Sequence, residues 1–103
     1  MKFDTDFSPF EDLQLEPISV DLTEMYAFIR GLAERRISFA CRGLYDGMQV
    51  IAADESWDVV CHGFSYGHES GLLEIMGKFC ENESDDVEGW LTADELLKRM
   101  DAE

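Results

Sequence analysis

Apolar residues change their spacing along this chain, and each change predicts an element. From Asp21 onward, Leu22, Met25, Tyr26, Ile29, Leu32 and Ala33 fall three or four apart and make one stripe of a helix. Asp21 precedes Glu24 by three positions, the spacing of a capping box, and Arg35 and Arg36 suit the negative end of the helix. After them the period shortens. "ISFACRGLY", "MQVIAAD" and "WDVVCHGF" are short runs rich in β-branched and aromatic residues, which predicts three strands. Asp46-Gly47 and Glu55-Ser56 separate them, and Asp-Gly between extended runs signals a hairpin. "LLEIM", Leu72 to Met76, reads as a fourth strand or a helical turn. A last helix follows, with Thr92 and Glu95 as a capping box, Lys98 and Arg99 in its final turn, and Leu91, Leu96, Leu97 and Met100 facing the sheet.

Ahead of the first helix the pattern is irregular. Phe3, Phe7 and Phe10 punctuate acids, and Pro9 and Pro17 discourage regular structure. The expectation is an acidic arm over residues 1–18, pinned by its phenylalanines, and a single α+β domain over residues 19–103. That domain is a small antiparallel sheet of three to four strands, packed with a helix from the N-terminal half and a short C-terminal helix.

Composition supports a folded core, since 46% of the 103 residues are hydrophobic. Charge changes the picture more. Twenty-three acids face eight lysines and arginines, a formal net of -15. Four of the eight cations sit in "RGLAERRISFACR", residues 30–42, which leaves the flanking segments strongly anionic. Such a field repels nucleic acid and anionic membrane and attracts cationic surfaces. Met1 to Phe10 lacks the basic start and apolar run of a signal peptide, and no apolar run approaches the roughly 18 residues of a membrane span. With three cysteines that cannot all pair, these features predict a reduced, cytoplasmic protein.

Candidate chemistry is sparse. Cys61, His62, His68 and Cys80 lack paired ligand spacings, and adjacent strand residues such as Cys61 and His62 project to opposite faces. A calcium loop begun at Glu81 would place Asp86 where glycine is needed and Thr92 where glutamate is needed. No nucleophile stands beside a base, and the glycines of "GFSYGHESG" do not match a phosphate-binding fingerprint. The expectation is a protein that is not an enzyme and holds no metal or cofactor. "SYGHESG" reads either as a turn capped by side chains or as a mobile recognition tip carrying Tyr66. The densest charge is "ENESDDVEGW". In extended geometry residues two apart project to one side about 7 Å apart, so Glu81, Glu83 and Asp85 predict an anionic row, joined by Asp86 and Glu88. Asp54, Glu55 and Asp58 add charge of the same sign at a hairpin end.

"SYGHESGLLEIMG" and "VEGWLTADELL", with the acidity and the α+β pattern, resemble small phage and mobile-element proteins of the anti-CRISPR and DNA-mimic type. That resemblance implies a non-enzymatic inhibitor occupying the nucleic-acid channel of a basic host protein, such as a defence nuclease. Nucleic acid and membrane are not expected as direct partners. The alternative expectation is an accessory protein whose acidity keeps it soluble and which binds through Tyr66, Trp90 or the phenylalanine arm.

Overall fold

The alternating runs form strands, and there are more of them than the pattern predicts. The computed structural model describes residues 20–82 and 86–103, so the expected arm over 1–18, Glu83 and Asp85 lie outside the described residues. Strands Phe39–Leu44 (β1), Gly47–Ala52 (β2), Trp57–Cys61 (β3), Leu73–Gly77 (β4) and Val87–Leu91 (β5) build one antiparallel meander in chain order. "LLEIM" is therefore a strand. The fifth strand corrects the expectation of three to four, and it comes from "VEGWL", which reads by sequence as the foot of the acidic stretch. Its alternation is interrupted. Leu73 pairs with Leu91 but Ile75 pairs with Glu88, so β5 carries one extra residue. This bulge falls at Gly89 and Trp90, and Trp90 adopts a left-handed φ of 57°.

Thr23–Glu34 (α1) and Ala93–Asp101 (α2) supply the apolar faces that the sheet needs. Met25, Phe28, Ile29 and Leu32 of α1 join Leu96, Leu97 and Met100 of α2 over Val50, Val59, Leu73 and Ile75. Phe28 meets Trp57 edge-on, with ring centroids 5.8 Å apart. The buried stripe is rotated from the predicted one: Tyr26 and Ala33 are exposed, and Phe28 is fully buried. The N-terminal cap also differs. Asp21 Oδ1 accepts from Thr23 N at 2.9 Å, whereas Glu24 reaches across to accept from Ala93 N at 2.7 Å. Glu24 thereby satisfies a free donor at the start of α2 and ties the two helices together. The second capping box forms as predicted, with Thr92 and Glu95 bonding reciprocally.

The first hairpin is displaced by one residue from the predicted Asp46-Gly47 turn. Tyr45 (φ 47°) and Asp46 (φ 65°) are the two turn residues, and Gly47 opens β2 opposite Leu44. Two consecutive left-handed residues fit the mirror-type turn whose twist matches paired strands. Glycine is required at 47 for a different reason, because a Cβ there would lie 2.0 Å from Cys61 O and 2.5 Å from His62 Cα. Both are backbone atoms of the neighbouring strand and cannot step aside. Gly47→Ala is expected to destabilise the protein by about 1–3 kcal/mol through overpacking. Urea unfolding with an unchanged slope and a lowered midpoint would show this; an unchanged midpoint would refute it.

Candidate interaction surfaces at the two ends of the sheet

A meander sorts its connections by parity. The β2–β3 turn and the β4–β5 connection share one end of the sheet, while the β1–β2 turn, the β3–β4 connection and the exit of β5 share the other. The predicted acids fall at the first end, and they are less free than a solvated row. Arg99 of α2 donates to Glu88 through two nitrogens, each at 2.9 Å, and to the Phe79 carbonyl at 2.8 Å. Glu81 lies 3.3 Å from the same guanidinium, and its backbone N–H donates to Glu88 at 2.8 Å. Glu88 is consequently a strand residue turned toward the helices. The Arg99 hydrogen bond, which outweighs partial burial, holds its carboxyl below the usual range.

The remaining predicted acids divide by task. Asp54 accepts from Ser56 N at 3.0 Å and Ser56 Oγ at 2.7 Å, and these bonds, the hydroxyl's first, lower its pKa. Asp58 accepts from Gln49, which in turn accepts from Arg42, a polar ladder across the face away from the helices. Glu55 (φ 64°) and Asp86 are exposed at the same end as Asp54. Glu81 and Glu88 are thus brought together by one cation, and Asp54, Glu55 and Asp58 gather around the neighbouring turn. Tyr66 lies farther along β5, beside Trp90, and lines one open pocket with Glu81 and Glu88.

The other end of the sheet is aromatic. Tyr45, His62 and Phe64 form a triangle of edge-on rings, with centroids 5.2, 5.2 and 6.3 Å apart. Tyr66 stacks on Trp90, with centroids 5.4 Å apart and ring planes 14° from parallel. Phe64, Trp90, Tyr45 and Tyr66 are 76%, 62%, 60% and 54% exposed, so each presents most of a ring to solvent. Gly89 makes the stack possible, since a Cβ there would meet Tyr66 Cβ at 2.2 Å. Left-handed backbone costs a non-glycine residue roughly 1–2 kcal/mol, and both Tyr45 and Trp90 adopt it.

The β3–β4 connection is a capped scaffold. Ser65, buried and satisfied, accepts from His62 N at 2.9 Å and donates to His62 O at 3.0 Å. Phe64 N donates to His62 Nδ1 at 3.0 Å, Tyr66 N to Glu74 at 2.8 Å, and His68 Nδ1 lies 2.7 Å from Ser65 O. Desolvation lowers the pKa of His62, which keeps its ring neutral at pH 7. Sequence reasoning missed Tyr45, His62 and Phe64 as a group. The signal available was aromatic residues beside Asp-Gly and His-Gly, where turns ordinarily carry small polar residues.

Cys61 is fully buried, and burial, with a smaller contribution from Asp21, pushes its thiol up to about 11. Its thiolate is therefore scarce at neutral pH. Among the described residues, no three His, Cys, Asp or Glu side chains converge on a point suited to a metal ion. No described helix is long and apolar enough to cross a membrane. No protein-family model matches the chain, and neither the curated proteins nor the solved structures yielded a match.

Two outcomes are expected. Iodoacetamide at about pH 8 should leave Cys61 unmodified in the native protein and label it after denaturation; rapid native labelling would contradict the burial. Glu88→Gln should lower stability at neutral pH. The depressed pKa of Glu88 makes its contribution fully present above 4.5, its ordinary value, and lost as pH falls through the folded value. The gap between wild type and variant should therefore close in acid. A gap that persists unchanged at low pH would show that the loss comes from packing instead.

Proposed function

We propose that this is a non-enzymatic acidic binding protein that occludes a basic, nucleic-acid-binding surface of a partner protein, in the manner of a phage-encoded inhibitor of a host defence nuclease. One observation carries this reading: five of the seven lysines and arginines among the described residues are engaged internally, with Arg30 and Arg36 left exposed, while the carboxylate excess faces outward. Arg35 pairs with Asp101, Lys78 with Glu103, Lys98 with Asp94, and Arg99 with Glu88 and Glu81. Arg42 is held by Gln49. A formal charge of -15 is left to set the external field. Such a field attracts cations over a Debye length of about 8 Å at physiological salt, which favours fast encounter with a phosphate-binding groove.

The alternative, contact through aromatic rings with acidity serving solubility, is favoured by the exposure of Tyr66 and Trp90. Salt separates the two. DNA-binding proteins retained on a DNA column are challenged with the purified protein, and released complexes are identified by mass spectrometry. The expected result is release of a basic protein in a complex that dissociates at high salt and is competed by duplex DNA. Neutralising Asp54, Glu55 and Asp58 to Asn, Gln and Asn should slow association and flatten its salt dependence. A complex that survives high salt and ignores competing DNA would sink the occlusion reading.

A further inference from the structure

We infer that the aromatic end of the sheet is the docking face, and that its occupant is an arginine-bearing basic segment of the partner protein. This inference rests on the partner being basic, and it moves the contact away from the acidic turns. Two pairs of well-exposed rings, Tyr45 with Phe64 and Tyr66 with Trp90, mark an interaction site more strongly than scattered single aromatics do. Two of them, Tyr45 and Trp90, are presented by backbone in a conformation unfavourable for their residue types. Strain of this kind concentrates where presentation matters.

The charge around the rings selects the partner. Between the Tyr45–Asp46 turn and the β3–β4 connection, closed on its third side by Asp21, lies an open cleft of about 730 Å³. Its walls include Tyr45, Phe64 and His68, and its carboxylates are Asp21, Asp46 and Glu69. No lysine or arginine occurs in residues 44–47, 61–72 or 89–91, which together make this end. Asp46 makes no hydrogen bond or ion pair with the described residues and is exposed at the cleft mouth. Asp21 already holds Thr23 N, and Glu69 lies 3.7 Å from His68 Nδ1, just as Asp54, Glu81 and Glu88 hold internal donors at the opposite end, so Asp46 is the acid of the cleft left to a partner. A guanidinium suits aromatic walls with carboxylates at the rim, because it stacks on a ring face while donating in its own plane. An ammonium uses the same field but stacks less well. Phosphate and acidic peptides are excluded by the same carboxylates.

The test uses octa-arginine as the probe, titrated into the isotope-labelled full chain at low salt and followed by amide and indole NMR shifts. The largest shifts are expected at Tyr45, Phe64, Tyr66 and the Trp90 indole, with octa-lysine binding more weakly. Tyr45→Asn and Trp90→Asn remove the rings while keeping a residue that tolerates left-handed backbone, and Phe64→Ser removes the most exposed ring. Each should weaken octa-arginine by about three- to tenfold. Asp54→Asn with Glu55→Gln should change affinity by less than about twofold. Shifts centred on Asp54, Glu55 and Asp86, or aromatic variants that bind as wild type, would overturn the inference and leave the acidic-binder reading standing. No binding of either peptide at low salt would overturn both.

Discussion

One guanidinium, that of Arg99, holds the acidic end of this protein together. It reaches from α2 to the edge strand through Glu88, to the β4–β5 connection through the Phe79 carbonyl, and to Glu81 beside them. β5 is short and bulged, and at its upstream end this cluster supplies the tie to the helical layer that a regular apolar strand would supply by packing. The side chains of Arg99 and Glu88 are only 18% and 24% exposed, so the pair is neither a free surface bridge nor a fully desolvated one. Its geometry, two parallel N–H to oxygen bonds, fixes orientation as much as it contributes energy.

The same economy explains how so acidic a chain folds. Carboxylates repel one another, but each is also a strong acceptor for backbone N–H groups that helix starts and turns leave unmatched. Asp21 holds Thr23, Glu24 holds Ala93, Asp54 holds Ser56, Glu74 holds Tyr66 and Glu95 holds Thr92. At Asp21 and Asp54 these bonds lower the pKa of the acid, so charge that opposes compaction in general is favoured locally there. An acidic composition is therefore a poor guide to which acids are available for a partner, since many close a turn or begin a helix.

Much of the fold is legible in the sequence because periodicity and capping agree. The Thr92–Glu95 box and the β-rich centre needed only local chemistry. The fifth strand was hidden because Gly89 and Trp90 break its alternation, and a bulge is recognisable only against its partner strand. Rotation of the α1 stripe toward Phe28 was hidden for a similar reason: Tyr26 and Phe28 are both apolar, and the sheet beneath decides which one is buried. At the candidate site, local charge was legible and its pairing was not. Glu88 and Arg99 are eleven residues apart and meet only because β5 lies alongside α2. The aromatic triangle depends on meander parity, which brings Tyr45 beside His62 and Phe64 across two strands.

Under the proposed function, the two ends of the sheet suit different stages of one encounter. Long-range attraction depends on net charge and is indifferent to whether a given carboxylate also holds an N–H, so internally bonded acids still steer a cation. Close contact depends on desolvated area and on geometry fixed in advance, and exposed carboxylates contribute little to it individually. The β3–β4 connection supplies that geometry: Ser65, His62 and Glu74 lock the backbone that carries Phe64 and Tyr66, and the bulge turns Trp90 onto Tyr66. Rings held in this way lose little freedom on binding. An end rich in locked aromatics, set within a field that gathers cations, can convert a fast and salt-sensitive approach into a durable contact without any additional charge.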